Sequence, residues 1–257
     1  MFANYHTHTH RCNHATGSDR EFIEAAIRGG LRVLGFADHC PWIFPDGHVS
    51  RTRMLPNEVD DYFSSLQALQ KEYARDITIY IGFESEYIPE LMETQDELLR
   101  PYPLDYMIIG EHFLTREPLS PYTGFPTEDE NDLARYVDLT IEGLASGRYR
   151  YVAHPDLLHY TGPHEIYDRH MRRLCVYCRE NDIPLEINML GAVGGRHYPC
   201  DRFMSIAGEV GCKAIIGVDA HSPDCLEDKA GEEKCTEMAV KHGLTLIQEL
   251  PGLGSKL

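Results

Sequence analysis

Short apolar runs rich in β-branched residues alternate with longer amphipathic segments along most of the chain. The longer segments carry helix start and stop signals; Ser18 and Glu21, for example, have capping-box spacing, and Gly29 and Gly30 end the same segment. Strands that alternate with helices run parallel and are joined by right-handed crossovers. The pattern predicts strands over 2–6, 32–37, 77–83, 105–110, 150–153, 184–188 and 214–218, a weaker strand over 244–248, and helices over 18–30, 57–76, 127–147, 164–182, 202–210 and 230–242.

No linker rich in Gly, Ser or Pro interrupts the chain, so residues 1–257 are predicted to form one α/β domain. Parallel strands with helical crossovers form either an open doubly wound sheet, which gathers its ligands at one switch point, or a closed barrel. Residues capable of chemistry follow nearly every predicted strand here, which favours a closed or nearly closed barrel. The connections 39–56, 112–126 and 189–199 also follow strands and should overhang that face.

The chain carries 24 basic and 41 acidic side chains, which gives a net charge of −17 with neutral histidines. This balance argues against duplex nucleic acid or an anionic membrane as the main partner, because phosphate groups bind basic surfaces. The N-terminal MFANYHTHTH lacks the apolar region of a signal peptide, and no apolar run is long enough to span a bilayer. We therefore expect a cytoplasmic protein with reduced cysteines, and the sequence predicts no oligomeric state.

Histidine and acidic residues cluster directly after the predicted strands. His6 and His8 end the first strand, where residues i and i+2 point to the same face. The other candidates are His14 in the loop that follows and, at later strand ends, Asp38, His39, Glu84, His112, His154, Asp156, Asp219 and His221. Burying so many imidazoles and carboxylates together is costly unless cations are bound. The mixed nitrogen and oxygen ligands suit Zn, Mn or Fe, and seven histidines exceed the needs of one ion, so we expect two or three divalent metal ions.

Six motifs carry a family resemblance. HTHTHRCNHA, FADHC, GFE, EHF, AHPD and GVDAH, in this order between residues 6 and 221, resemble the PHP (polymerase and histidinol phosphatase) superfamily. The resemblance implies a distorted seven-stranded parallel (β/α)7 barrel, similar to a TIM barrel, with a trinuclear metal site. It implies a first metal bound by His6, His8, Glu84 and Asp219, a second bound by Glu84, His112 and His154 with Glu84 bridging, and a third bound by His14, His39 and His221. Asp38 and Asp156 are then candidates to orient ligand imidazoles.

Such a site suits phosphoester hydrolysis. Two ions bridged by a carboxylate can hold a hydroxide at neutral pH, and a third can stabilise charge on a phosphate oxygen. The chain is therefore predicted to be a phosphoric monoester hydrolase in which a metal-bridging hydroxide attacks phosphorus, with Glu84 and Asp219 as catalytic carboxylates. The leaving-group acid is predicted to be His197 or a water on the third metal. The residues predicted to bind substrate are Arg196, Arg116 and Trp42, with Arg51, Arg53 and Tyr122 as further candidates on the long connections.

The resemblance implies L-histidinol phosphate as substrate, because chain length and the SRTRM segment are most similar to the stand-alone histidinol-phosphate phosphatases of histidine biosynthesis. A second hypothesis is a PHP phosphoesterase for another small phosphorylated metabolite or a nucleotide 3′,5′-bisphosphate. A third is a metal-binding barrel that serves a polymerase as a proofreading or regulatory accessory, against which the acidic charge argues. A fourth is an amidohydrolase-like barrel, but such barrels usually carry a carboxylated lysine where this chain has Glu84.

Overall fold

The computed structural model describes residues 1–253, in which strands and helices alternate. The strands are β1 (Ala3–Asn4), β2 (Val33–His39), β3 (Thr78–Ser85), β4 (Tyr106–Ile109), β5 (Leu185–Asn188), β6 (Lys213–Gly217) and β7 (Thr245–Leu246). The helices are α1 (Asp19–Arg28), α2 (Val59–Glu72), α3 (Met92–Leu99), α4 (Glu130–Ala145), α5 (His164–Glu180), α6 (Met189–Gly194), α7 (Asp201–Val210) and α8 (Lys229–Lys241). Short 3₁₀ turns lie at His10–Cys12, Pro56–Glu58, Pro89–Leu91 and Pro223–Glu227.

Six helices confirm sequence predictions, and two were missed. Helix α1 begins where its capping box places it: Ser18 Oγ accepts from the Glu21 amide at 3.3 Å, and the Glu21 carboxylate accepts from the Ser18 amide at 2.7 Å. Helix α3 has eight residues and α6 has six, too few for a clear helical period in the sequence. Helix α6 begins at a local side-chain cap, because Asn188 Oδ1 accepts from the Gly191 amide at 2.8 Å.

The strands form two curled parallel sheets and not one regular seven-stranded sheet. The first sheet has the order β1-β2-β3-β4, and the second has the order β5-β6-β7. Val152 forms one parallel bridge to Ile109 of β4 and one to Leu185 of β5, and Thr7 forms one to Ala220 after β6. Single-residue bridges therefore join the two sheets at both of their meeting edges.

Three predicted strands, those over 2–6, 150–153 and 244–248, are reduced to one or two residues. In the strand predicted over 150–153 only Val152 forms bridges, although the Arg150 and Ala153 amides still donate to the carbonyls of Met107 and Ile109, both at 2.8 Å. The chain then turns into a left-handed conformation at His154, whose φ is 27°. The strand predicted over 2–6 retains Ala3–Asn4. Beyond it, the Asn4 side chain donates from Nδ2 to the His6 carbonyl at 3.1 Å and accepts at Oδ1 from the Val218 amide at 2.9 Å, so it competes with regular strand pairing.

The strands lie inside the molecule with the helices around them. Every residue of β2 is buried, as expected for a parallel strand that is covered on both faces. The principal apolar core packs α1, through Phe22 and Ile23, and α2, through Leu66, against the sheet residues. Over residues 1–253 we find no helix with the length and apolar character needed to cross a membrane. The covered sheets place the carboxyl ends of their strands around one shared cavity.

Candidate metal centre

The residues predicted to bind metal converge where the strands of both sheets end. His39 is the last residue of β2, and Glu84 lies one residue before the end of β3. The remaining candidates follow β1, β4, the bridge at Val152 and β6. Short distances or cavity contacts bring together all the predicted ligands: His6, His8, His14, His39, Glu84, His112, His154, Asp219 and His221.

The carboxylate of Glu84 lies between two groups of imidazoles. Its Oε2 atom is 3.0 Å from His39 Nδ1 and 3.5 Å from His6 Nε2. Its Oε1 atom is 2.6 Å from His154 Nε2 and 3.4 Å from His112 Nε2. Glu84 is fully buried, at the base of a cavity that it helps to line. Each oxygen therefore faces its own set of nitrogen ligands.

His6, His8 and Asp219 form a second set of candidate ligands beside the set around Glu84. His6 Nε2 and His8 Nε2 are 3.5 and 3.0 Å from Asp219 Oδ1. A third group, formed by His14, His39 and His221, has ligand atoms that all lie within 4.8 Å of one another. In it, the Nε2 atoms of His14 and His221 are 3.0 Å apart, a separation at which two lone pairs repel unless a proton or a cation lies between them.

These residues fit divalent cations, and the orphaned atoms carry the argument. Within residues 1–253, His6 Nε2, His8 Nε2 and both Glu84 oxygens are buried and make no hydrogen bond of acceptable geometry. Buried polar atoms are normally paired, and leaving several unpaired in one place is costly. Imidazole nitrogens and carboxylate oxygens are the donors that Zn, Mn and Fe accept. Bound cations would pair all of these atoms at once.

Burial and neighbouring charges set the protonation of the site. Burial lowers the pKa of His39 well below its ordinary value and lowers that of His221 to about 4, so both rings are neutral at pH 7 and offer a lone pair. Burial acts the same way on His8, but the adjacent Asp219 carboxylate outweighs it and raises the pKa of His8 to about 9. Burial would raise the pKa of Glu84, yet the nearby imidazoles hold it well below its ordinary value. The carboxylate is therefore ionised.

Three carboxylates orient candidate ligands through the other ring nitrogen. His8 Nδ1 lies 3.4 Å from Asp38 Oδ1, within reach for the orienting role that remains predicted for Asp38. His6 Nδ1 lies 2.8 Å from Glu186 Oε1, and His112 Nδ1 lies 3.2 Å from Glu86 Oε1. Sequence reasoning missed both glutamates. A signal existed for Glu186, because it is a charged residue inside the apolar strand PLEIN.

Left-handed residues and closely packed glycines shape the backbone of the candidate metal centre. His154 and Asp219 have φ values of 27° and 54°, in the left-handed region that favours glycine. Where close approach matters, the chain does use glycine: a Cβ added at Gly110 would overlap Glu84 Oε1, and one at Gly217 would overlap Glu186 Oε1. The carboxylates therefore occupy space that any other residue at 110 or 217 would fill.

A cavity of about 560 Å³ opens onto these residues. Of the residues predicted to contact substrate, Arg196 lines it, and its guanidinium donates to the Tyr198 hydroxyl at 2.7 Å. Two further candidates, Arg53 and Tyr122, also line it. The cavity thus combines metal ligands, at least one cationic side chain for an anionic group, and aromatic rings.

Two predicted substrate residues point elsewhere. Trp42 is only 4% exposed, packs with Phe44, Ile88 and Leu91, and does not line the cavity. Its indole N–H donates to Glu86 at 3.2 Å, so it packs beneath the site. Arg116 pairs with Asp46 at 2.6 Å and with Glu90 at 3.3 Å. Neither side chain is placed to contact a substrate.

His197 and Asp156 also differ from expectation. The His197 ring stacks on His159, with centroids 4.1 Å apart, and bonds the Leu157 carbonyl at 2.7 Å; it lines a separate pocket. This placement argues against His197 as the leaving-group acid. Asp156 accepts from the Cys200 amide at 2.7 Å, before α7, and bonds no ligand imidazole. Asp156, which follows the turn at His154, lines the same separate pocket as His197.

Comparison with protein families decides the affiliation of the chain. The PHP domain model matches residues 4–189, which include most of the ligand cluster. The chain belongs to the PHP domain family. The match ends before β6, so Asp219 and His221 lie outside it, although the structure places them beside the matched PHP residues.

Individual relatives agree with the PHP assignment. A probable histidinol-phosphatase of Deinococcus radiodurans is 30% identical over 227 residues, which cover 85% of this chain and 85% of the relative. A histidinol-phosphatase of Bacillus subtilis is 29% identical over 117 residues, 42% of this chain and 43% of that protein. A crystal structure of histidinol phosphate phosphatase from Lactococcus lactis, complexed with zinc, L-histidinol and phosphate, superposes with a TM-score of 0.72 at 19% identity, covering 96% and 95% of the two chains. At this identity the superposition establishes a shared fold.

Proposed function

We propose that this PHP protein is a divalent-metal-dependent phosphomonoesterase that hydrolyses L-histidinol phosphate to L-histidinol and phosphate. The observation that carries the proposal is the set of buried, unpaired nitrogen and oxygen atoms around Glu84, which faces the cavity that Arg196 lines. The choice of substrate is supported by the relatives: the probable histidinol-phosphatase of Deinococcus aligns with most of this chain, and the Lactococcus enzyme, which shares the fold, was crystallised with zinc, L-histidinol and phosphate.

The ligand sets are part of the proposal. His6, His8 and Asp219 form one set and His14, His39 and His221 another, while Glu84 joins the first set to His112 and His154. Divalent ions held there would polarise the phosphoryl group and activate water. The protein's own contribution is orientation: Glu186, Asp38 and Glu86 fix the ligand rings through their second nitrogens.

Arg196 is assigned to the phosphate group. Its guanidinium lines the cavity, and the hydrogen bond to the Tyr198 hydroxyl restricts its position while leaving further N–H groups for an anion.

The proposal also concerns the fold. The two sheets act as one distorted seven-stranded barrel, which is supported by the single bridges at Val152 and Thr7 and by the fold shared with the Lactococcus enzyme.

Elemental analysis and phosphate release from the purified protein test this proposal together. We expect two or three equivalents of divalent metal, loss of turnover on chelation, and L-histidinol phosphate as the best ester in a panel with glycerol 2-phosphate and a nucleotide 3′,5′-bisphosphate. Glu84→Gln should lower turnover by more than the roughly 10–100-fold that changes to the partners of metal ligands cost. The exposed Glu128→Gln should change neither metal content nor turnover.

The outcomes separate metal dependence from substrate choice. A metal-dependent activity with a much better turnover of another ester would retain the phosphatase and replace the substrate. Full metal content and full turnover in Glu84→Gln would contradict the central role of this carboxylate. Lack of hydrolysis of any ester by the metal-loaded protein would reject the phosphatase itself.

A further inference from the structure

One wall of the cavity is aromatic, and it belongs to the connection 112–126. Phe113, Tyr122 and Phe125 line the cavity and are called the aromatic wall below. The Tyr122 ring lies nearly parallel to the His112 imidazole, at 13° with centroids 6.3 Å apart. Phe125 packs edge-on against Tyr122, with centroids 5.8 Å apart. The aromatic wall is thus one packed group that begins directly beside a candidate metal ligand.

The backbone of this connection holds the aromatic wall in place. Thr123, between the two rings, donates its amide to the His112 carbonyl at 2.9 Å and accepts from the His159 amide at 3.0 Å. A Cβ added at Gly124 would overlap the Tyr122 ring, so glycine lets the ring fold back over its own loop. A surface that is already ordered loses little conformational entropy when a ligand binds it.

The aromatic wall packs on one side against His112 and Arg53, and it presents its other surface to the cavity and to solvent. Phe125 is 62% exposed although it borders the cavity beside the candidate metal ligands, and exposed aromatic surface at a cavity is typical of ligand binding. Among the described residues that line the cavity, the only carboxylates are Glu84 and Asp219, both in the metal cluster. A planar or cationic organic group therefore finds its remaining complementary surface in the ring faces.

We propose that the aromatic wall determines substrate specificity by packing against a planar ring in the organic half of the phosphomonoester. Arg196 and ions bound by the candidate ligands would then hold the phosphate, and the ring would lie against Tyr122 and Phe125. The preferred substrates are accordingly phosphomonoesters with an aromatic or heteroaromatic ring, of which the imidazole of histidinol phosphate is one. This inference rests on the proposed phosphatase function and adds the residues that select the substrate.

The test compares an ester that has a ring with one that has none. In metal-loaded Tyr122→Leu, which keeps an apolar side chain and removes the ring, kcat/KM for L-histidinol phosphate should fall roughly tenfold, mainly through KM. For glycerol 2-phosphate it should fall less than about threefold, because only the organic half loses its contact. Tyr122→Phe should retain the wild-type preference. By calorimetry, L-histidinol, which lacks the phosphate, should bind Tyr122→Leu roughly tenfold more weakly.

Leu119→Ala is the matched control. Leu119 belongs to the same connection, is 64% exposed and does not line the cavity, so both esters should be hydrolysed as by wild type. An equal loss for both esters in Tyr122→Leu, or undiminished L-histidinol binding, would overturn the specificity role while leaving the phosphatase intact. If wild type hydrolyses no phosphomonoester, the proposed function fails and this inference fails with it.

Discussion

Glu186 shows how one buried carboxylate can order several parts of the candidate metal centre. Its Oε1 atom is 2.8 Å from His6 Nδ1, and its Oε2 atom accepts from the His154 amide at 2.8 Å. It also accepts from the Asn188 side-chain amide at 2.8 Å. His6 and His154 belong to segments far apart in sequence, yet their ring centroids lie 5.7 Å apart, and this one side chain bonds to both residues.

Glu186→Gln is therefore expected to weaken metal binding by about 10–100-fold, since the amide cannot bear the negative charge that holds His6. Competitive titration with a metal-sensitive dye measures the change. The exposed Glu180→Gln, which removes the same charge at the end of α5, serves as the control and should bind metal normally. Unchanged metal affinity in Glu186→Gln would refute the orienting role.

Residue identity and strand-end position were enough to locate the candidate ligands in the sequence. The residues that support them could not be found in this way. Glu186 is 180 positions from His6, and Arg53 is 33 positions from Glu86, so only the folded chain brings each pair together. Trp42 and His197 were placed wrongly for the same reason: the sequence locates their loops, but their side chains turn toward Glu86 and His159.

One buried ion pair links the connections 39–56 and 112–126. Arg53, in the connection 39–56, donates at 2.9 Å to Glu86, which follows β3 directly. Its Nε atom also lies 3.4 Å from Glu117 in the connection 112–126. Arg53 and Glu86 are both buried, and Glu86 in turn orients His112. The pair thus links both connections to the strand that carries Glu84.

Arg53→Gln should destabilise the fold by about 3–5 kcal/mol, because it leaves the Glu86 carboxylate buried without its cation. Chemical denaturation monitored by circular dichroism measures this free energy of unfolding. Arg51, two residues earlier and exposed, is the matched control, and Arg51→Gln should stay within about 0.5 kcal/mol of wild type. Equal stability of the two variants would show that the ion pair does not anchor the connection.

Helices and strands were predicted well where the periodic segment was long, and less well where tertiary contacts decided the secondary structure. Helices α4 and α5, with 16 and 17 residues, lie within their predicted ranges. The strand expected over 150–153 is reduced to two bridges at Val152, and it ends before His154, which adopts a left-handed conformation that no local propensity encodes for histidine.

At the scale of the whole molecule, four of the nine candidate ligands flank a bridge that joins the two sheets. The bridge from Thr7 to Ala220 has His6 and His8 on one side and Asp219 and His221 on the other. Cations held by both segments would therefore join the sheets where the backbone provides only a single bridge.

Metal loading should accordingly stabilise the protein. At a free metal concentration about 100 times the dissociation constant, one site adds about 2.7 kcal/mol to the free energy of unfolding. Thermal unfolding of chelated protein with and without Mn²⁺ should show a higher Tm with metal. Glu84→Gln should show a smaller increase, and an unchanged Tm in wild type would indicate that no cation links the sheets.

At His154 and Asp219 the side chain that suits metal binding is not the one that suits the backbone conformation. Their positive φ angles cost a residue with a side chain on the order of 1–3 kcal/mol, which glycine would largely avoid. Substitution of either residue by glycine would stabilise the metal-free fold but remove a candidate ligand. Lineages that lose the need for this chemistry should therefore lose these two residues early and keep the fold.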